Sequence, residues 1–282
     1  MSNKKVTIYI PAFNAENTIE KSIYSIFNQT YQFDEIIIVD DNSTDNTNKL
    51  VSKFKNIRLI KNSMNMGLSY CRNLAIYNSS NNLVASIDAD VVLNKKWLEI
   101  LLIKFAHNNN IMCGGKMIEK FTQNKFNAWR AKYYSQNWGD KSFDNPAFLF
   151  GCNTIQNKEI WKKVGGYDEK LISNGEDIDY ANKIKLISKT KLIYCADALC
   201  EHLQMDNLES LSNRVWRYHS FGYKIKEISF MRLIKLAVKQ LNFFLKRTFH
   251  DLINLRFNYI YINFIIFIKF IIFEFKNYLQ KI

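Results

Sequence analysis

The first 90 residues alternate short apolar runs with stretches of helical periodicity, and this alternation limits the folds open to the chain. Four short runs rich in Ile, Val and Leu have the character of buried strands: residues 6–10, 35–39, 57–60 and 83–87. The segments between them space their apolar residues as a helix does, at 16–29, 50–54 and 68–77. Strands that alternate with helices in this way form parallel sheets with right-handed crossovers. We therefore expect an α/β fold with a mostly parallel central sheet and flanking helices.

Two carboxylates directly follow the fourth run. Asp88 and Asp90 stand one residue apart, and in an extended backbone residues i and i+2 point the same way. Both side chains can then lie at the sheet edge where open α/β sheets bind ligands. Such a pair suits Mg²⁺ or Mn²⁺, which commonly completes its coordination shell with substrate phosphates. A solvated acidic turn is the alternative, and an isolated pair would favour it.

Residues suited to a nucleoside diphosphate follow the other strands. Pro11 and Asn14 offer a rigid turn and an amide after the first strand, and Asp40 can accept hydrogen bonds after the second, unless it caps a helix. Arg72, on the third helix, can reach a phosphate or be an ordinary surface arginine. The sequence contains neither G-x-x-x-x-G-K-S/T nor G-x-G-x-x-G, which disfavours P-loop and dinucleotide-binding proteins.

A second acidic pair, Glu176 and Asp177, follows Gly175 at a predicted helix start. The helix dipole favours carboxylates there, so an acidic first turn with a structural role is one interpretation. The other is a general base, because repulsion within the pair or partial burial would raise one pKa toward a useful value.

Taken in order, these motifs resemble those of family 2 of the inverting glycosyltransferases, which have the Rossmann-like GT-A fold. The resemblance covers about residues 5–202, and six short segments carry it: residues 10–14, 39–43, 72–73, 88–90, 165–168 and 176–177. Each motif alone is weak evidence for this family, whereas the complete set in this order is specific for it. The resemblance implies an enzyme that moves a sugar from a nucleotide-sugar donor, with UDP the commonest nucleotide, to a saccharide acceptor in surface glycan assembly.

The resemblance also implies roles for single residues. The nucleotide-sugar-binding set would comprise Pro11, Ala12, Asn14, Asp40, Arg72 and Asp88. The divalent cation, Mn²⁺ or Mg²⁺, would be held by Asp90 with Asp88 and His202, although a buried structural role for His202 is almost as compatible. Asp177 would deprotonate the acceptor hydroxyl, with Glu176 beside it on the sugar hydroxyls.

The sequence departs from the processive members of the family. Arg214, Arg217 and Tyr218 reproduce the spacing of their Arg-x-x-Arg-Trp motif but not its last residue. We expect one or a few sugars to be added, with these arginines either on the diphosphate or on a basic surface helix. The aromatic segment 120–150 is predicted to be irregular; Trp129, Tyr133, Tyr134 and Trp138 in it are candidates for stacking on sugars or for a hydrophobic lid.

The C-terminal part holds most of the net charge of +13: residues 203–282 carry 13 Lys and Arg against 5 Asp and Glu. No nucleic-acid motif accompanies this charge, so an anionic membrane surface is the favoured partner. Residues 231–247 are predicted to form an interfacial helix with Arg232, Lys235, Lys239 and Lys246 on one face. Residues 257–275 are more apolar but contain Lys269, which favours a helix in the interface over one that spans.

These patterns predict a catalytic domain over residues 1–228 and a membrane-association segment over 229–282. Packing of the tail on the catalytic domain or on a second subunit is the alternative. The five scattered Cys residues indicate reduced thiols, and residues 1–11 do not resemble a secretory signal. We expect a peripheral protein on the cytoplasmic face of the cell membrane, acting on a saccharide that is lipid-linked.

Two other functions remain open at this point. A sugar nucleotidyltransferase would share the sheet and the divalent cation, but it needs a Gly-rich N-terminal loop, and residues 11–18 contain no Gly. A catalytically inactive saccharide- or membrane-binding relative would keep the fold without turnover.

Overall fold

The computed structural model describes residues 4–105, 111–172, 174–187, 191–220 and 229–280. These residues form two compact units, Met1–Lys120 with Gln136–Leu203 and Phe121–Ser135 with Gln204–Ile282. The helices and strands in chain order are β1 (Val6–Ala12), α1 (Ile19–Phe27), β2 (Glu35–Asp40), α2 (Thr47–Val51), β3 (Arg58–Lys61), α3 (Leu68–Asn78), β4 (Leu83–Ile87), β5 (Val91–Leu93), α4 (Trp97–Lys104), β6 (Ile111–Glu119), α5 (Lys125–Tyr133), β7 (Phe143–Asp144), β8 (Asn153–Asn157), α6 (Lys158–Val164), α7 (Glu176–Lys185), β9 (Lys191–His202), α8 (Leu208–Ser220), α9 (Phe230–Ile253) and α10 (Phe257–Leu279).

The first unit is built on one mixed sheet in the order β3-β2-β1-β4-β8-β6-β9-β5, with β7 paired to β9. Strands β3, β2, β1 and β4 are parallel, as the alternating pattern predicts. Strand β8 then runs antiparallel between β4 and β6, while β9 is parallel to β6. The expected α/β fold with flanking helices is confirmed, and the antiparallel insertion explains why the alternation fades after residue 90.

Both faces of the sheet are covered, because alternate residues of each strand point to opposite sides. Ile8 and Ile10 belong to the same buried cluster as Ile19 of α1. Tyr9, between them, belongs to the cluster on the other face with Ala75 of α3. Burial on two faces makes these strands continuous apolar runs, and this is why they could be recognised in the sequence.

The second unit is helical and combines α5, α8, α9 and α10. Its core contains Trp129 of α5, Leu211 and Val215 of α8, and Ile262 and Ile266 of α10. The compact units therefore do not follow the boundary predicted between residues 228 and 229, since α8 lies before that boundary and packs with the tail helices. Segment 120–150, expected to be irregular, contributes α5 to this unit.

Candidate active site

Parallel pairing brings the ends of β1, β2 and β4 to one edge of the sheet. Ala12 pairs with Asp40, the last residue of β2, and Pro11 precedes Ala12 in β1. On the other side, β1 pairs with β4, which ends at Ile87, just before Asp88. Three of the predicted nucleotide-binding segments therefore meet at the edge where doubly wound sheets bind ligands.

Asp40 and Asn14 join the loops that follow the first two strands. The buried Asp40 carboxylate accepts hydrogen bonds from the N–H of Ser43 at 3.1 Å and from the side chain of Asn48 at 3.0 Å. Asn14 has φ 48°, and its side-chain oxygen accepts from the N–H of Thr44 at 2.9 Å. Both residues are thus fixed before any ligand arrives, and their contact with a nucleotide stays a prediction.

The neighbouring carboxylate of Asp41 has a structural role. It accepts hydrogen bonds at 2.7–2.8 Å from the side chain of Asn62 and from the N–H groups of Met66 and Gly67. Gly67 is the residue before α3 and has φ +88°, a conformation that favours glycine. Asp41 therefore fixes the start of the helix that carries Arg72.

Arg72 is the centre of the site and is not a surface arginine, since its side chain is 1% exposed. Its Nη1 donates to Ser86 Oγ and to the carbonyl of Gly151, both at 2.6 Å. Its Nη2 donates to Asp88 Oδ1 at 3.0 Å and lies 3.8 Å from Glu176 Oε1. One guanidinium nitrogen thus faces both acidic motifs, which are 88 residues apart in the sequence.

Asn73, the next residue, holds the Gly165-Gly166-Tyr167 turn. Its side-chain oxygen accepts from the Tyr167 N–H at 2.9 Å, and its Nδ2 donates to the Tyr167 carbonyl at 3.0 Å. A Cβ on Gly166 would lie 2.7 Å from that side-chain oxygen, so a larger residue does not fit. The turn places Tyr167 in a stack on Tyr180 of α7, with ring centroids 4.1 Å apart.

Asp90, His202 and Glu119 form a chain of acidic and basic groups at the same edge. His202 is 5% exposed and ends β9, where it pairs in register with Glu119 of β6. Its Nε2 lies 3.1 Å from Asp90 Oδ2, and its Nδ1 lies 3.0 Å from Glu119 Oε2. Burial by itself would lower the pKa of His202, but Asp90 and Glu119 outweigh it and raise that pKa to about 9.

Asp90 and His202 are the two predicted metal ligands that lie together. Their 3.1 Å contact between Oδ2 and Nε2 is a hydrogen-bonded ion pair at neutral pH, because a pKa of about 9 keeps the imidazole protonated. A divalent cation held by both residues would have to displace that proton. Glu119 stands behind His202 as carboxylates do behind metal-bound histidines. Within the described ranges, no group of three or more His, Cys, Asp or Glu residues has metal-binding geometry.

Asp88 points to Arg72 rather than to this pair. Its carboxylate bonds the guanidinium. Burial raises its pKa above the usual value, Arg72 opposes this, and Asp90 adds to it. Of the predicted metal set, the structure brings Asp90 and His202 together and places Asp88 beside them, on Arg72.

Glu176 and Asp177 occupy the first turn of α7, after Gly175 with φ +86°. Burial and the charge of Asp177 raise the pKa of Glu176 to about 7. Burial also raises the pKa of Asp177 to about 6, although Arg72 and nearby backbone N–H groups favour its charged form. A carboxylate with a pKa near 6 is suited to accept a proton at neutral pH.

The aromatic residues of segment 120–150 divide between two roles. Trp129, Tyr133 and Tyr134 lie in the second unit, where their rings surround the Arg247 guanidinium at 4.8–5.3 Å. Trp129 is fully buried, which excludes it as a face for stacking on sugars. Tyr133 and Tyr134 are half-buried against it. Trp138 is 36% exposed and packs beside Phe148 and Phe150 in the first unit, and its contact with a sugar stays a prediction.

Arg214 is mostly buried in the second unit. Its Nε lies 3.6 Å from Asp206, which Arg130 also pairs with. The surface-helix alternative fails for Arg214, because its side chain is only 17% exposed.

Glu119, Ser86 and Gly151 are site residues that the sequence did not reveal. Glu119 becomes visible only when the register of β6 on β9 is known, and Gly151 lies in a loop without periodic signal. Ser86 is different: it stands in the same short motif as Asp88, two residues earlier and on the same side of the strand.

Comparison with known proteins identifies similar sequences. The sequence model described as "Glycosyl transferase family 2" matches residues 7–165. A protein of Haemophilus influenzae named "Uncharacterized glycosyltransferase" is 30% identical over 198 residues, 67% of this chain and 61% of that protein. The Escherichia coli UDP-Glc:alpha-D-GlcNAc-diphosphoundecaprenol beta-1,3-glucosyltransferase WfgD is 35% identical over 111 residues, 39% of this chain and 44% of that protein. The chain thus spans less than two thirds of the length of either relative.

Among solved structures, the chain is similar to the mannosyltransferase PcManGT of Pyrobaculum calidifontis in complex with GDP-Man and Mn²⁺. The TM-score is 0.59 at 19% identity, over 77% of this chain and 62% of that one. At this identity the similarity concerns the fold.

Proposed function

The chain belongs to glycosyltransferase family 2 and has the GT-A fold, and from this premise we propose that it transfers a sugar from a nucleotide-sugar donor to a lipid-linked saccharide in surface glycan assembly. The observation that most supports this is the position of Arg72, whose Nη2 contacts Asp88 at 3.0 Å and faces Glu176 at 3.8 Å. The carboxylates that the resemblance assigns to the donor side and to the acceptor side therefore face the same guanidinium.

On the donor side, Pro11, Ala12, Asn14 and Asp40 would bind the nucleoside at the ends of β1 and β2. Arg72 fixes Asp88 through a charge-assisted hydrogen bond, and Asp88 held in this way would bind the ribose. Asp90 and His202 would hold a divalent cation, which when bound supplies positive charge that stabilises the departing diphosphate. WfgD uses UDP-Glc according to its name, which supports UDP as the nucleotide here.

On the acceptor side, Asp177 would take the proton of the attacking hydroxyl. Its pKa of about 6 leaves it mostly ionised at neutral pH, and Glu176 beside it would bond sugar hydroxyls. The hydroxyl oxygen forms a bond to the anomeric carbon as the bond to the diphosphate breaks, so the configuration inverts. Glu119 would hold the His202 ring in place through Nδ1.

The acceptor is proposed to be lipid-linked for two reasons. WfgD acts on a diphosphoundecaprenol-linked sugar according to its name. In this chain α10 is long and apolar enough to enter a membrane, with a mean hydropathy of 1.6 over its most apolar window. We place the protein peripherally on the cytoplasmic face, where nucleotide sugars are available.

The test is donor turnover by the purified full chain with Mn²⁺ or Mg²⁺, using UDP- and GDP-linked sugars and scoring release of free nucleotide diphosphate. Asp177→Asn should lower turnover by about 10²–10⁴-fold and leave donor affinity almost unchanged. Asp179→Asn, the same change two residues further along the helix, is the matched control because Asp179 pairs with Lys183. Donor binding without turnover in the wild type would instead identify an inactive relative. Pyrophosphate release from a nucleoside triphosphate and a sugar phosphate would identify a nucleotidyltransferase.

A further inference from the structure

Helices α9 and α10 pack on each other and leave a continuous apolar surface exposed. Six residues of α9, spaced three or four apart, are 40–66% exposed: Ile234, Val238, Leu241, Leu245, Phe249 and Leu252. Six residues of α10 with the same spacing are 38–56% exposed: Tyr261, Phe264, Ile268, Ile272, Phe275 and Leu279. Such spacing produces one stripe along each helix. We call the two stripes together the hairpin face.

The two stripes border the same groove. Phe244 of α9 packs across the groove on Phe264 and Phe267 of α10, with ring centroids 6.3 and 5.3 Å apart. Phe264 belongs to the α10 stripe, and Phe244 precedes Leu245 of the α9 stripe by one residue, about 100° round the helix. The hairpin face is therefore a single surface about 30 Å long, since each stripe runs over five turns at about 5.4 Å each.

On α9 and α10 the acidic residues are buried, whereas several lysines are exposed. The acidic residues in the sequences of α9 and α10 are Asp251 and Glu274, and both are buried, at 0% and 2% exposure. The lysines lie outside: Lys235, Lys246 and Lys276 are exposed. Each is about 80–100° from the mean direction of the stripe of its helix, on the side away from the groove. An apolar face with cations along its edges and no exposed carboxylate complements an anionic lipid surface.

The two buried polar residues of α10, Asn263 and Glu274, have hydrogen-bond partners inside the second unit. Asn263 accepts from Trp129 Nε1 at 2.8 Å and donates to Asp251 at 2.8 Å. Glu274 accepts from Trp216 Nε1 at 3.0 Å and pairs with Arg232 of α9 at 3.3 Å. If α10 left to cross a bilayer alone, it would carry Glu274 into hydrocarbon and leave these buried groups without partners.

We infer that the hairpin face docks on an anionic bilayer with α9 and α10 both parallel to the membrane plane, and that α10 does not span. This inference rests on the proposed function, because it specifies how an enzyme with a lipid-linked acceptor meets its membrane. It assigns the contact to named stripes and excludes the insertion that the length of α10 alone would permit.

Vesicle sedimentation of the full chain tests whether the hairpin face binds the membrane. Binding to phosphatidylglycerol-containing vesicles should exceed binding to pure phosphatidylcholine, and Phe264→Glu should weaken it about tenfold or more. Tyr77→Glu is the matched control, since Tyr77 is 71% exposed on α3. Lys235→Glu with Lys246→Glu should remove the preference for anionic lipid, whereas Lys21→Glu with Lys55→Glu, at exposed positions of the first unit, should not. Binding that is indifferent to Phe264→Glu would overturn the inference.

Depth measurements test the orientation. A single tryptophan is placed at residue 261, 268 or 275 of α10 (Tyr261→Trp, Ile268→Trp, Phe275→Trp). After subtraction of the wild-type signal, lipids brominated near the headgroup should quench the fluorescence of all three to the same extent. A spanning helix would give the strongest quenching by deep bromines at residue 268 alone. A stable dimer in solution that Phe264→Glu dissociates, without vesicle binding, would show that a second copy covers the face.

Donor turnover in detergent separates the two proposals. The Phe264→Glu variant should turn over a soluble donor at the wild-type rate but should no longer bind vesicles. If the wild type binds vesicles but turns over no donor, the proposed function is refuted and the proposed docking surface is still supported.

Discussion

Replacing Arg72 by Met tests whether one buried guanidinium organises the site. The variant keeps the length of the side chain but removes the donors to Ser86 Oγ, the Gly151 carbonyl and Asp88. Removing one partner of a buried ion pair costs about 3–5 kcal/mol because the other charge is left uncompensated. The Asp88 side chain is 33% exposed, and water screens part of that charge. We therefore expect a loss of about 3 kcal/mol.

The loss should also depend on pH. Arg72 lowers the pKa of Glu176, which burial raises to about 7, so the variant should have a still higher value. A carboxylate whose pKa is raised by folding contributes stability that is full below its unfolded value, near 4.5, and is lost as pH rises through the folded value. The destabilisation by Arg72→Met should accordingly be larger at pH 8 than at pH 5.

Urea unfolding followed by circular dichroism at both pH values is the assay. Arg58→Met is the control: Arg58 is 50% exposed, donates to the Asn78 carbonyl at 3.0 Å and lies 3.7 Å from the Glu35 carboxylate, so its loss should cost less than about 1 kcal/mol. A loss below about 1 kcal/mol for Arg72→Met, or one equal at pH 5 and pH 8, would refute the reasoning.

Three further outcomes are expected. The kcat/KM of the wild type should rise with pH with an apparent pKa near 6 and then level off, because Asp177 must be ionised to accept a proton. A pH–rate profile in which kcat/KM falls over that range would contradict the role of Asp177. Asp90→Ala should abolish the increase in nucleotide affinity that Mn²⁺ causes, and calorimetry giving equal affinities with and without Mn²⁺ in the wild type would count against the site. Gly166→Ala should unfold at a lower urea concentration than Gly165→Ala. The free energy of unfolding should be lower by about 1–3 kcal/mol. Both glycines have positive φ, but only at Gly166 does the added methyl meet Asn73 at 2.7 Å; equal midpoints would exclude the clash.

The sequence predicted the parts of the fold whose pattern is periodic. Strands β1, β2 and β4 are buried on both faces, so each was visible as an apolar run. Helix α5 was missed because two of its three buried residues are polar: Asn127 and Arg130 face inward beside Trp129. Hydrophobic periodicity cannot identify a helix whose inner face is held by hydrogen bonds.

Long-range pairings decided the rest of the site. Nothing in the local sequence indicates that Tyr133 and Tyr134 pack on Arg247, more than a hundred residues away. Of the predicted sugar-stacking residues, Trp129 is fully buried and cannot stack on a ligand. The predicted cationic face of the tail is also incomplete, because Arg232 turns inward to Glu274. Interior charge pairs of this kind are invisible to a helical wheel.

The second unit has a consequence for biosynthesis. Its helix α5 emerges early, near residue 125, but the partners of its Trp129 and Arg130 lie at Asp206, Ile262 and Asn263. During translation, about 130 more residues must be added after Trp129 before Ile262 and Asn263 are available, which takes about seven seconds or more at elongation rates of up to about 20 residues per second. The Trp129 indole therefore reaches its native partners only after the last helix has been synthesised.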